Sequence, residues 1–235
     1  MISKNLIIGT VNIADYGCYC SDAGIYASTS LVYDTQNIDG RNGALHIDKG
    51  RYADVTIKYQ CIIPSDFQKN FYQLRSALLA QKGKQKIVND FDSDTYRMGI
   101  LSDAIDGDVG VNKDIGTFTL KFSCNPQRYL NSGDVTQTIT EDATLSNPTL
   151  FDARPLIRVY GKGKLEVGSE TITISKGATE YIDIDCDIQD CYEGSENRNG
   201  LVTLTDFPTL ASGDTGIKLG SGITKVEITP RWWTV

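Results

Sequence analysis

Histidine is nearly absent: His46 alone serves a chain of 235 residues. It lies in a glycine-rich turn region near Asp48 and Arg51, and no Gly-x-Ser-x-Gly elbow or cysteine nucleophile motif accompanies it. The Walker A loop and the dinucleotide glycine fingerprint are missing as well. No apolar run approaches the length of a membrane span. The start Met1-Ile2-Ser3-Lys4 is charged as a leader would be, but Leu6-Ile7-Ile8 breaks at Gly9, and Asn12 and Asp15 follow, so no secretory signal is expected. Asn-x-Ser/Thr acceptors are absent too, because Asn147-Pro148-Thr149 is ruled out by its proline. These absences leave catalysis, nucleotide chemistry and membrane insertion without a foundation. No catalytic residue, cofactor or metal ligand is assigned, and a binding or structural protein is the better reading.

The cysteines point the same way. There are six, Cys18, Cys20, Cys61, Cys124, Cys186 and Cys191. Their C-x-C and C-x4-C spacings with two singletons fit neither a zinc ribbon nor a redox C-x-x-C motif. They are expected to be reduced thiols filling core positions as small hydrophobes.

Charge divides the chain unevenly. Residues 1–130 carry 14 basic and 14 acidic groups, whereas residues 131–235 carry 9 and 16, so the second part holds the whole net charge of −7. An acidic half argues against direct binding to nucleic acid or to an anionic membrane. Between the halves runs "GTFTLKFSCNPQRYL", Gly116 to Leu130. Phe118, Leu120, Phe122 and Cys124 alternate with Thr117, Thr119, Lys121 and Ser123, the signature of a half-buried strand. Asn125-Pro126 is expected to end it, since proline removes a ladder donor. The stretch reads as the last strand of one domain, 1–130, leading to a second, 131–235.

In the first part, "LVYDTQNID" (Leu31 to Asp39) reads as a strand closed by Gly40-Arg41-Asn42-Gly43, where Asn-Gly supplies the positive φ of a tight turn. "RYADVTIKYQCII" (Arg51 to Ile63) is the second long strand, with Val55, Ile57, Tyr59 and Cys61 on one face. A helix is expected from Asp66 to about Lys82, with an apolar stripe of Phe67, Phe71, Leu74 and Leu78. Ser65 and Gln68 form a capping box at its start; Gly83 and Lys82, Lys84 and Lys86 suit its end. Two short strands follow around Asp90, Asp92 and Asp94. These aspartates fail the calcium-loop test because the sixth and twelfth positions are Thr95 and Leu101, so a solvated turn is expected.

Beyond Leu130, turn signals crowd together: Asn147-Pro148, Arg154-Pro155, Gly161-Lys162-Gly163, Val167-Gly168, Lys176-Gly177, Asn199-Gly200 and Gly220-Ser221-Gly222. Short alternating runs lie between them, and no helix is evident; the pattern predicts a β-sandwich or jelly-roll-like domain. Asp183, Asp185 and Asp187 share one face of a strand whose other face holds Ile182, Ile184 and Cys186. Ile188 and Gly194 in the sixth and twelfth positions exclude an EF-hand. Three aligned carboxylates need relief from neighbouring bases or from water. A solvated acidic face is the expectation, with a metal or a basic partner as the alternative. At the end, adjacent Trp232 and Trp233 must face opposite ways, one anchoring the core and the other partly exposed or covered by a neighbouring chain.

Taken in order, "NIDGRNGAL", the 65–83 helix, "FSCNPQRYL", "ARPLIRVYGKGKLEVG", "YIDIDCDIQDCYEGSENRN" and "FPTLASGDTGIKLGSGITKVEITPRWWTV" resemble the distal tail protein of long, non-contractile-tailed bacteriophages. The resemblance implies a mainly β protomer: a tail-tube-like belt domain with one α-helix, then a galectin-like β-sandwich. It implies a structural protein of the virion tail tip, assembled in the bacterial host cytoplasm as a homo-hexameric ring. That ring would join the tail tube protein to the tail-associated hub or lysin protein, and let DNA pass without sequence-specific contact. A receptor-binding protein and the tape measure are further implied partners. Membrane insertion is not implied. Interface candidates are Asn42, Gly43, Arg51 and Tyr52 on the hairpin, with Trp232 and Trp233 at the C-terminal end. Two rival readings are a carbohydrate-binding module using an exposed tryptophan, and a hydrolase built on paired acids near Asp183 to Asp190.

Overall fold

A computed structural model describes residues 5–23, 26–110, 114–175 and 180–235. The charged start and the Lys176-Gly177 turn lie outside the described residues. The chain forms two compact units, Met1–Arg128 with Val235, and Tyr129–Thr234.

The first unit contains β1 (Leu6–Ile8), β2 (Val11–Asn12), β3 (Tyr19–Ala23), β4 (Leu31–Gln36), β5 (Leu45–Tyr52), β6 (Val55–Ile63), α1 (Phe67–Ala80), β7 (Gln85–Asn89), β8 (Thr95–Leu101), β9 (Gly107–Val109) and most of β10 (Gly116–Leu130). Its main sheet runs β2-β1-β7-β8-β10-β6-β3, with β9 also on β10. The alternation read from the sequence holds. Along β6 and the first part of β10 every second residue is buried, and the ladder runs from Gly116↔Ile63 to Cys124↔Val55. Period-two patterning of this kind fixes register, because a one-residue slip would turn Leu120 and Phe122 to solvent.

Pro126 does not end β10. The pairing with β6 stops at Cys124, two residues earlier, so the missing proline N–H costs that ladder nothing. Its carbonyl instead accepts from Arg97 Nη1 at 3.3 Å.

The helix is confirmed by its buried stripe, Phe67, Phe71, Leu74 and Leu78. Phe71 packs edge-on against Phe118 of β10 at 5.1 Å. Its caps differ from expectation. Asp66 occupies the cap position at φ 50° with no side-chain capping bond, so the Ser65/Gln68 box does not form. A distant residue takes over: Asp66 N–H donates to Asp114 Oδ1 at 2.8 Å and Phe67 N–H to Asp114 O at 3.0 Å. At the other end the helix stops at Ala80 with an extended Gln81. Gly83 is left-handed at φ 74°, but it serves the turn into β7, and the lysines lie beyond the last helical turn.

The second unit holds β11 (Gln137–Ile139), β12 (Ala143–Asn147), β13 (Leu156–Gly161), β14 (Gly163–Val167), β15 (Glu170–Ile174), β16 (Ile182–Asp185), β17 (Asp190–Glu193), β18 (Glu196–Asn197), β19 (Val202–Thr203), β20 (Gly213–Leu219), β21 (Ile223–Thr229) and β22 (Trp233–Thr234). Six strands order as β11-β21-β13-β16-β17-β18 and five as β12-β20-β14-β15-β19. Ile157, Val159, Ile184 and Val226 from one sheet join Leu165, Ile172, Ile174 and Ile217 from the other in a single buried core. Among the described residues, the helical elements of this unit are short 3-10 turns at 131–134 and 199–201.

The two ends of this unit meet. Leu130 N–H donates to Trp232 O at 2.9 Å, and Arg231 N–H donates to Gly133 O at 2.8 Å. Gly133 is required there, since a Cβ would collide with the Trp232 backbone nitrogen.

Candidate functional site

The hairpin of β4 and β5 stands apart from the main sheet as its own two-stranded sheet. Gln36 pairs with Leu45, Thr35 with His46, Asp34 with Ile47 and Tyr33 with Asp48; a bulge follows, and Leu31 meets Tyr52. A hairpin forms, but its second strand is Leu45–Tyr52, where a turn region around His46 was expected, and not Arg51 to Ile63. Its first strand ends at Gln36 rather than Asp39. Arg51 and Tyr52 close its second strand, and a break at Ala53-Asp54 separates them from β6, so Arg51 to Ile63 is two strands. The reason is the partner: β6 is flanked by β10 and β3 in the main sheet, whereas β5, among the described residues, pairs with β4 alone.

This arm has no dry face. Leu31, Tyr33, Ile38 and Ile47 are all more than 40 % exposed, and no residue from 31 to 52 belongs to the core of the first unit. Its internal contacts are polar and local. Lys49 pairs with Asp34 at 2.9 Å; His46 lies 3.3 Å from the Thr35 hydroxyl and meets the Tyr33 ring edge-on at 6.2 Å. Asn42 and Gly43 sit in the loop at the tip, Gly43 at φ 79° with open space around it. Arg51 and Tyr52 lie at the base. The four hairpin candidates thus occupy opposite ends of one element. The exposed apolar residues between them were missed, although their alternation with polar neighbours was visible in the sequence.

In the second unit, Trp232 is buried, 3 % exposed, within the sandwich core. Trp233 is half-buried; it stacks on Phe151 at 4.5 Å and donates its indole N–H to Asp152 O at 3.0 Å. The opposed orientation expected of the pair is present. A groove of about 340 Å³ on this unit is lined by Gln189, Cys191, Asn199, Val202, Leu204 and Phe207 among others, and contains neither tryptophan.

The solvated acidic face is overturned. Asp183 and Asp185 are 3 % and 6 % exposed, and each is held by an arginine through two hydrogen bonds. Arg158, opposite Asp183 in the β13–β16 ladder, donates to it at 2.7 and 2.9 Å. Arg231 does the same to Asp185. Asp187, further out, lies 3.9 Å from Arg154. Bases from neighbouring segments, rather than water, relieve the repulsion. Burial pushes the Asp185 carboxyl up, but the hydrogen bonds and charge of Arg231, together with the backbone N–H groups of Asp187 and Ile188, outweigh it and leave the group below the ordinary carboxylate range. Hydrogen bonding to Asp183 raises Arg158 further. Arg231 reaches its partner from a left-handed backbone, φ 60°, a conformation costing roughly 1 kcal/mol for a residue with a Cβ.

The acidic turn of the first unit is solvent-exposed at Asp90 and Asp94, as expected, and half-buried at Asp92. Asp90 accepts from Asn5 N–H at 3.0 Å, and Asp92 pairs with Arg128 at 3.4 Å. Among the described residues, no group of three or more His, Cys, Asp or Glu is arranged to hold a metal ion.

No family model matches the chain, and no curated protein matches its sequence. Solved structures do. The Dit protein of phage SPP1, described as a paradigm of the hub adsorption apparatus in phages infecting Gram-positive bacteria, superposes with a TM-score of 0.74 at 15 % identity, covering 98 % of this chain and 99 % of that one. The chain has the Dit fold. A chain of the phage p2 baseplate in its activated conformation with Sr is a more distant neighbour. It has a TM-score of 0.51 and 11 % identity over 95 % and 97 % of the two chains. The Dit fold extends across both units, so the mainly β architecture with one helix is accounted for from end to end.

Proposed function

We propose that the protein is a distal tail protein of a long-tailed, non-contractile phage, with a structural rather than enzymatic role in the tail tip. The observation that carries this reading is the match to the SPP1 Dit protein over nearly the whole of both chains. Six copies form a ring in which each first unit acts as a belt segment and each second unit as a galectin-like lobe. The ring connects the tail tube protein to the hub or lysin protein and leaves a channel for DNA. The tape measure and a receptor-binding protein are further neighbours.

The exposed arm supports self-assembly. An isolated two-stranded hairpin is marginal in water, and edge strands invite pairing with another chain. A cyclic head-to-tail contact through the arm covers the same patch on every copy and closes. Asn42, Gly43, Arg51 and Tyr52 lie in that contact. Trp233 supplies a second contact, and buried Trp232 sets the position of the segment that carries it.

Light scattering after size exclusion, followed by negative-stain imaging, tests the proposal. A six-fold ring, alone or with its tail neighbours, is the expected result. A chain that stays monomeric at high concentration and never joins tail tube or hub protein overturns it. A saccharide-binding role has less to stand on, because Trp232 is buried and one face of the Trp233 ring lies against Phe151.

A further inference from the structure

All six cysteines are free and buried in this structure, but one pair differs from the rest. Cys20 of β3 lies directly opposite Cys61 of β6 in an antiparallel ladder, and the two sulfurs are 3.3 Å apart. Opposed residues in such a ladder have Cα atoms about 4.5–5.5 Å apart, inside the roughly 4.4–6.8 Å that a disulfide accepts. Bond formation therefore needs side-chain rotation rather than backbone movement. Cys186 and Cys191 lack this register, since Cys191 lies opposite Ile184.

We propose that Cys20 and Cys61 are a latent cross-strand disulfide, formed by hydrogen peroxide when no thiol reductant competes. One sulfur, as thiolate, attacks the peroxide; the O–O bond breaks, and the departing hydroxide takes up a proton to leave as water. The second sulfur attacks the resulting sulfenic sulfur, the S–O bond breaks, and a second water leaves with the remaining proton. Two thiols are oxidised and one hydrogen peroxide is reduced, with no other reactant.

The surroundings make the step slow. Hydrogen bonding with the Cys18 and Cys20 thiols and burial push the Cys61 thiol well up, and Cys20 is fully shielded from solvent, so thiolate is scarce and access is limited. A chain held under reducing conditions keeps its thiols; one held long in an oxidising medium loses them. The bond would close a loop from residue 20 to residue 61 that contains the whole β4–β5 arm, tying the arm's two attachments together at the edge of the main sheet.

The test uses the full wild-type chain, freed of reductant and held with dilute hydrogen peroxide, then alkylated in denaturant and digested without reduction. A peptide joining Cys20 to Cys61 is expected, with the other four of the six thiols alkylated. The cross-link should raise the melting temperature by about 5–10 °C and release it again with dithiothreitol. Cys61→Ala should abolish the cross-link and the rise; Cys18→Ala should keep both. Mapping the wild-type chain needs no variant to fold. If all six thiols stay alkylatable, or if the bridge joins Cys18 instead, the proposal fails.

Discussion

β5 and β6 are consecutive strands of eight and nine residues, yet they behave oppositely. β6 buries alternate residues between β10 and β3, and its inward side chains join the core with Phe122 and Leu120. β5 carries apolar Leu45 and Ile47 among polar neighbours, pairs with β4 alone among the described residues, and keeps most of its length exposed. The difference lies in what stands opposite each strand. A strand becomes core when a second layer covers one face; without that layer the same alternation leaves a surface suited to an external partner.

The comparison can be broken most severely at its buried end. Phe122→Ala removes a ring that is 1 % exposed and meets Tyr59 edge-on at 6.0 Å. It is expected to cost about 3–5 kcal/mol in denaturant unfolding. Next comes Asp185→Asn in the second unit, which leaves Arg231 without its ionic partner and should cost about 3 kcal/mol at neutral pH. The depressed carboxyl sets the sign of the pH dependence. Its contribution is present above the unfolded carboxyl pKa of about 3.9 and is lost as pH falls through the lower folded value. Melting curves of the wild-type chain should therefore fall below about pH 4, and those of Asp185→Asn should fall less steeply.

At the arm, the effects on the single chain shrink. Gly43→Ala puts a Cβ on a residue at φ 79° with nothing near enough to clash, so only backbone strain of about 1 kcal/mol is expected in thermal melts. Tyr33→Ser, on a side chain that is 47 % exposed, should change monomer stability by less than about 0.5 kcal/mol. On the proposed assembly the same substitution should shift the population toward monomer in size exclusion. Unchanged assembly would move the ring contact away from the arm.

What could be read from the sequence follows the range of the interactions. The alternation in β6 and β10 and the stripe of Phe67, Phe71, Leu74 and Leu78 are local patterns, and they were legible. The helix cap was not, because Asp114 lies 48 residues from Asp66, and no local motif reports an acceptor met only after the sheet forms. The aspartates of β16 failed for the same reason. Strand periodicity put Asp183 and Asp185 on one face, but their arginines come from 25 and 46 residues away. The local sequence named neither arginine, so water was favoured over bases from a neighbouring strand. The arm's bounds depended on where β6 joins β10, again a matter of register between distant segments. The exposed character of the arm could have been suspected from the interruption at Gly50 and the mixed polarity on both sides.

The meeting of Leu130 with Trp232 and of Gly133 with Arg231 makes the second unit a bay with a single doorway. The first and last segments of the unit are tied to each other by the same few hydrogen bonds, so its contents hang from one short seam. A lineage could exchange the contents of that bay for another compact module of any size, provided the replacement brings its two ends equally close.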